Sequence, residues 1–422
     1  MDCENMVVKN SDKFIAFLLG LSIFEGVSMF FSVGSTVFTF SEILSPLIFV
    51  GLCILKLYKL GSFIKNIPLG FKIFFIMILL SIVSGIAAFA SGDAVIRYLV
   101  GLIYLFIVFT MAANVFMLNH AKKWIINGLF VGFLANIVFS LICCLSFNKG
   151  TVITLSNMFD REGFFVPVHR FRSQGFFLEP SHFIRYVASV FLILISAQRI
   201  KSVFVKFALV IATIAVSLLS TSGSVVIMAC GLVLYILIRK KSKIITPATL
   251  LTLFIVIIAI CVFFTFNLGE QWNLGELTEG IFSGADIKDE GNVDRYESMV
   301  LSLGYLDDML LGCGWNLVGS LFEQNHSGTV SAFSDILEMT LELGIFGIIF
   351  YIWSVMSLVL KLIRRKNNYS ISLAVSLLII FALQIGTDYA FNTCIMFVFG
   401  LAVAEIADGK KEAMNRLSAE NN

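Results

Sequence analysis

Charge is scarce in this chain. Asp, Glu, Lys and Arg make up 14% of its 422 residues, where soluble proteins ordinarily carry roughly 25%, so no stretch reads as a soluble enzyme domain. Nor is one sign in excess: the formal net charge is +2, and with the basic residues assigned to cytoplasmic turns as anchors, nucleic-acid binding is not expected. The eight cysteines follow no disulfide or metal-ligand spacing, so neither a bridged scaffold nor a metal site is expected. No low-complexity tract is present. No internal repeat recurs at a fixed spacing, which weighs against a transporter duplicated from two matched halves.

What the chain has in abundance is apolar surface. Hydrophobic residues make up 58% of it, 43 of them phenylalanine, and the mean hydropathy is +0.94. That composition predicts an all-α polytopic membrane protein, residues 1–422 forming one integral membrane domain. Apolar windows of about 20 residues, the length that crosses the hydrocarbon layer, number about twelve. They fall near 14–33, 36–55, 70–90, 96–118, 124–146, 182–198, 203–220, 222–238, 246–266, 333–360, 370–388 and 391–407. The first, Phe14 to Val33, lacks a small-residue cleavage pattern and reads as a retained span, not a signal peptide.

Orientation follows from the basic residues, which are retained on the cytoplasmic side. With the N-terminus inside, only Arg97, Lys149, Arg161, Arg170, Arg172, Arg185, Lys288 and Arg295 of the 30 Lys and Arg fall outside. Lys122, Lys123, the run Arg239 to Lys243 and the run Lys361 to Lys366 all fall inside. N-in and C-in are therefore expected. Cys3 is then cytoplasmic, Cys313 lies in an outer loop, and Cys53, Cys143, Cys144, Cys230, Cys261 and Cys394 sit in apolar spans.

Two outer segments are long, residues 147–181 and 267–332, and long ordered loops tend to carry function. The first holds Lys149, Arg161, Arg170 and Arg172 against Asp160, Glu162 and Glu179. The second holds Lys288 and Arg295 against eleven acids, so Arg295, flanked by Asp294 and Glu297, is an exception within an acidic run. It either forms a local ion pair on a solvated surface or serves a ligand.

The densest polar cluster runs from Arg170 to Phe183, at the lip of an apolar span. Charge beside a bilayer is costly unless it is paired, solvated or used on a substrate. Arg170 and Arg172 are spaced to hold a lipid-linked phosphate or pyrophosphate, since a guanidinium fork grips phosphate bidentately and stays charged; contact with lipid headgroups is the alternative. Pro180 suits the first position of the next helix. Glu179 before it can cap that helix, pair with Arg172 or act as a general base. His182 and Arg185 lie one turn apart, so Arg185 either joins the cluster or snorkels to the interface.

Weaker candidates remain. Glu25 and Glu42 lie in the outer halves of the first two spans, where a buried carboxylate binds a proton or cation or faces a polar cavity. Asp335, Glu338 and Glu342 recur at helical spacing at the outer end of the tenth span, and Asp388 sits at another outer helix end. Residues 286–297 have the outline of a calcium loop, with Asp286, Gly291 and Glu297 at its first, sixth and twelfth positions, but Lys288 stands where an oxygen ligand belongs. His326 is the one histidine of the second long loop.

Arg172-Ser-Gln-Gly175 leading into Phe177-Leu-Glu-Pro-Ser-His-Phe183 resembles the pattern of oligosaccharide repeat-unit polymerases of the O-antigen and capsule (Wzy) type. Arg295, Gly312-Cys-Gly314 and Leu337 to Gly347 resemble the second half of the wider O-antigen ligase and polymerase superfamily. The resemblance implies a glycosyltransferase in the bacterial inner membrane. It would move a growing glycan from undecaprenyl pyrophosphate onto the terminal sugar of a new lipid-linked repeat unit, on the periplasmic face. Donor and acceptor would both be lipid-linked, membrane lipid and a chain-length regulator would be the other partners, and neither nucleotide sugar, cofactor nor metal would be used. It further implies that Arg172 and Arg295 hold the pyrophosphate, with Arg170 and Arg185 supporting by proximity. Arginines can stabilise the leaving pyrophosphate without a metal, and Glu179 and His326 are the candidate bases for the acceptor hydroxyl. Related ligases carry a histidine a few residues upstream of their Glu-x-Gly, but the positions around Phe333 and Asp335 hold none, which favours a polymerase. A ligase, or a flippase or transporter of lipid-linked oligosaccharide, is the alternative; a transport path would place charge through the whole bilayer, whereas here it gathers at the outer mouth.

Overall fold

The computed structural model describes residues 8–23, 31–33, 36–88, 92–148, 173, 175–177, 180–197, 203–220, 224–239, 298, 300–305, 310–325, 332, 334–385 and 393–420. The helices are α1 Asn10–Leu21, α2 Phe40–Asn66, α3 Leu69–Ala88, α4 Gly92–Met117, α5 Lys122–Asn148 and α6 Pro180–Ser196. They continue with α7 Val203–Leu219, α8 Ser224–Arg239, α9 Val318–Asn325, α10 Asp335–Arg364, α11 Asn368–Ile385 and α12 Thr393–Glu420. Among the described residues, α2, α4, α5, α10 and α11 are long and apolar enough to cross a membrane, and α3, α6, α7 and α8 contribute shorter apolar stretches. The chain is a helical membrane protein. The expected span at 246–266 lies outside the described residues.

One expectation is corrected near the N-terminus. The apolar window at 14–33 does not form one helix: α1 ends at Leu21, and Phe31–Val33 pairs antiparallel with Thr36–Phe38 in a small hairpin, β1 and β2, with Val33 opposite Thr36. The reason is local. Phe-Ser-Val and Thr-Val-Phe are rich in β-branched and aromatic residues and flank Gly34-Ser35, a pair favoured between hairpin strands.

Packing centres on α11, whose residues Ser370 to Gln384 are all buried, as befits a helix that is apolar on every side. It packs against α10, α6, α8 and α12; α12 in turn packs on α4, α4 on α2, and α10 on α3. Toward the edge, Leu47, Val50, Ile54, Leu55, Leu57 and Tyr58 of α2 are exposed, a face suited to lipid. α1 and α5 cross at two glycines: a Cβ on Gly20 would strike the carbonyl of Ile125, and one on Gly128 that of Phe17. Such small-residue crossings let membrane helices approach backbone to backbone.

One end of the bundle is knit by ion pairs. Asp12 of α1 receives Lys56 at 2.6 Å and His120 at 2.7 Å, and Lys56 is the residue at which α2 leaves helical geometry (φ −143°, ψ 37°). Lys59 donates to the carbonyl of Met117 at 3.0 Å. Glu405 of α12 receives Lys122 at 2.7 Å, Ser370 at 2.8 Å and Asn367 at 3.2 Å, and also pairs with Arg365. Segments read from sequence as lying on one side thus meet one another.

Candidate functional site

At the opposite, distal end, residues 173 and 175–177 of the first motif are built into the bundle. The amide of Ser173 donates to the carbonyl of Leu219 at the end of α7 at 2.9 Å, and its hydroxyl meets that of Ser140 on α5. The amide of Phe176 donates to Oδ1 of Asn136 at 3.0 Å, and its ring stacks on Phe139 with centroids 4.3 Å apart. Phe177 packs against Phe183 and Tyr186 of α6. The aromatic residues of the motif are therefore anchors that fix the chain against α5, α6 and α7. Asn136 and Ser140, which receive it, carry no mark in the sequence beyond being polar in an apolar run.

Pro180 opens α6 as expected, its missing N–H falling where a helix has no internal acceptor to supply. Arg185 is 4% exposed, its side chain covered by neighbouring protein. It is a buried guanidinium in the second turn of α6, one turn on from the half-buried His182. Of the sequence-derived candidates, Arg170, Arg172, Glu179, Arg295 and His326 lie outside the described residues, as do Glu25, Asp388 and the run 286–297.

The second motif forms a unit that its two halves do not suggest separately. α10 begins at Ser334, whose hydroxyl caps the amide of Leu337, and Asp335 and Glu338 occupy its first turn, where negative charge complements the helix dipole. Ten residues on, the helix breaks at Gly344 (φ 72°, ψ 177°). A break frees carbonyls that a straight helix would satisfy, and the loop around Gly312-Cys-Gly314 supplies the donors: Cys313 to Leu341 at 2.8 Å and Gly314 to Glu342 at 3.0 Å. Gly312 (φ 81°) and Gly344 sit where the two backbones touch, and a Cβ on either would strike the other segment. Trp315 completes the insertion, its amide donating to Ser81 at 3.1 Å and its indole to the carbonyl of Gly101 at 3.4 Å. Burial, with the carboxylates of Glu342 and Glu338 nearby, pushes the Cys313 thiol up, so it remains a neutral thiol packed in the clamp.

Asp335 is fully buried and Glu342 nearly so, with Glu338 half-buried between them. Glu42 has a structural role: its carboxylate accepts from the amide of Thr39 at 2.7 Å in a capping box and bonds the hydroxyl of Tyr104. The Thr39-x-x-Glu42 spacing carries that signal in the sequence. Tyr351 and Gln384, joined at 2.7 Å inside the bundle, are buried polar residues that sequence reasoning did not single out.

No protein-family model matches this chain, and no curated protein matches it.

Proposed function

We propose that the protein is a glycosyltransferase of the inner membrane that polymerises undecaprenyl-pyrophosphate-linked repeat units of a surface polysaccharide on the periplasmic face, through about twelve spans with both termini inside. The observation that carries the reading is the burial of Arg185 in α6, directly after the anchored segment that follows Arg172. A guanidinium inside a membrane bundle is costly unless it is compensated and used. Its fixed fork suits a diphosphate. In this reading Arg172 and Arg295, supported by Arg170 and Arg185, hold the donor's pyrophosphate and stabilise the charge it gains as the bond to the anomeric carbon breaks. The acceptor hydroxyl attacks that carbon and gives its proton to a base, for which Glu179 and His326 are the candidates. The gathering of polar groups at the distal end, with the other end closed by structural ion pairs, favours surface chemistry over a path through the bilayer.

The test is polymerisation by the purified protein in proteoliposomes, given only the lipid-pyrophosphate repeat unit. Products of increasing length without nucleotide support the reading. Transfer to lipid A core with no lengthening would indicate a ligase instead.

A further inference from the structure

Past the break at Lys56, residues 57–66 form a second segment of α2. One face of that segment docks on α4: Phe63 is fully buried, with ring centroids 5.6 Å from Phe109 and 5.3 Å from Phe116, and Lys59 donates to the carbonyl of Met117 at 3.0 Å. Helical geometry places Leu57, Tyr58, Gly61, Ser62, Ile64 and Lys65 around the other side, and all six are exposed. Tyr58 is 74% exposed between aliphatic neighbours, the setting in which tyrosine sits at the level of lipid headgroups. α2 is also the least covered of the five long apolar helices.

The cations beside that face are unmatched. Lys410 of α12 donates to Oδ1 of Asn66 at 3.1 Å, and Asn66 donates in turn to the carbonyl of Ser62 at 2.9 Å. Around the helix Ser62 falls between Asn66 and Lys65, so Lys410 and Lys65 flank it, with Lys411 next along α12. The acids on either side of the two α12 lysines in sequence are engaged elsewhere, Asp408 by Asn119 at 2.7 Å and Glu412 by Arg365 at 3.0 Å. Asp12 is held by Lys56 and His120. Among the described residues, Lys65, Lys410 and Lys411 form no ion pair.

Ammonium groups gathered without an acid repel one another unless an anion joins them. The same exposed face is aliphatic and aromatic, so the anion that fits it carries apolar surface of its own. A water-soluble anion meets the first condition only, whereas a phospholipid with a net negative headgroup meets both.

We propose that the second segment of α2 and residues 410–411 of α12 form a binding site for an anionic phospholipid. Its phosphate is held over Ser62 by Lys65, Lys410 and Lys411, and its acyl chains run along the exposed apolar face of α2. In the orientation with both termini inside, this is a lipid of the cytoplasmic leaflet. The inference rests on the helical membrane fold and is independent of the polymerase reading.

The experiment reconstitutes the full-length protein in nanodiscs of phosphatidylcholine containing phosphatidylglycerol, and reads the retained lipid and its affinity by native mass spectrometry. Four proteins are compared: wild type, the triple variant Lys65→Gln, Lys410→Gln and Lys411→Gln, the single variant Ser62→Leu, and a control triple variant Lys9→Gln, Lys361→Gln and Lys366→Gln. The control removes the same charge from exposed lysines outside the site. Wild type is expected to retain phosphatidylglycerol over phosphatidylcholine. The site triple variant should bind it more weakly by about fivefold for each lysine, on the order of a hundredfold for three, and the control should bind as wild type does. Ser62→Leu keeps every charge and fills the space between Lys65 and Lys410, so it should weaken binding too, and it carries the test should the site triple variant fail to fold. Wild type without a preference for phosphatidylglycerol would overturn the proposal. So would equal weakening in both triple variants, which is diffuse attraction of a basic surface, or a Ser62→Leu protein that binds as wild type does.

Discussion

The amide of Cys313 donates to the carbonyl of Leu341 at 2.8 Å, so a loop far away in sequence repairs the hydrogen bonding that α10 loses at Gly344. The two glycines at the crossing serve different needs. Gly344, with φ 72° and ψ 177°, occupies a region of backbone space that is essentially closed to residues with a Cβ. Gly312 is there so that the loop can lie against the carbonyl of Glu342.

Gly344→Ala is therefore expected to cost about 1–3 kcal/mol from backbone strain alone, and more because its Cβ strikes the carbonyl of Leu310. Thermal unfolding in detergent reads this as a lowered melting temperature. Ala substitution of exposed Gly51, around which a Cβ meets nothing, should leave stability nearly unchanged or raise it, since alanine favours helix. Equal melting of the Gly344→Ala protein and wild type would dissolve the clamp.

At the ion-paired end, Asp12 is held below the ordinary carboxylate value: burial pushes it up, but hydrogen bonds from Lys56 and His120 outweigh that. A depressed carboxylate contributes stability that is present above its unfolded value of 3.8 and is lost as pH falls through the folded value. The wild-type melting temperature should accordingly drop more steeply below pH 4 than that of Asp12→Asn, which has no charge to lose. Lys59 adds a constraint of its own, because its ammonium can only donate to Nδ1 of His120, at 3.0 Å. The imidazole must then carry its proton on Nε2, facing Asp12 at 2.7 Å. Parallel acid-melting curves for wild type and Asp12→Asn would refute the carboxylate's role.

The parts of this architecture that are legible in sequence are those governed by local composition. Apolar length marks α2, α4, α5, α10 and α11, Pro180 marks the start of α6, and the lysines and arginines that meet Asp12 and Glu405 already sort to one side by charge. What escapes depends on partners distant in the chain. Gly344 sits in an apolar run and looks like any helical glycine until the 310–314 loop lies across it. The hairpin at 31–38 is hidden because its strands are as apolar as a span. Asn136 and Gln384 are ordinary polar residues in membrane helices, and only folding shows that one receives the Phe176 amide and the other the Tyr351 hydroxyl.

Asn136 tests whether anchoring the first motif matters for function. Its Oδ1 accepts from Phe176 while its Nδ2 donates back to the carbonyl of Gly132 at 3.1 Å, so the side chain is fixed before the motif arrives. Asn136→Leu leaves the Phe176 amide without its acceptor at a cost of about 1–3 kcal/mol. Chain growth should fall more than protein abundance in cells carrying that variant, because the segment displaced leads directly out of Arg172. A loss of chain length no greater than the loss of protein would show the anchor to be structural only.

The arginines themselves give the sharpest test of the proposed chemistry. Charge alone does not distinguish lysine from arginine, but a diphosphate held by two parallel N–H donors does. Arg172→Ala and Arg295→Ala should each abolish chain growth, leaving lipid A core with single repeat units, and Arg172→Lys and Arg295→Lys should restore little of it. Arg185 differs because it is buried: Arg185→Ala removes a guanidinium whose surroundings were built for it, so both stability and activity should fall, whereas the loop arginines should affect activity with little change in melting temperature. Electrophoresis of the surface polysaccharide alongside melting of the purified variants separates the two effects. Full-length polysaccharide from both loop alanine variants would remove the pyrophosphate assignment, because no other pair of cations in the two long outer loops is spaced as Arg172 and its neighbour Arg170 are.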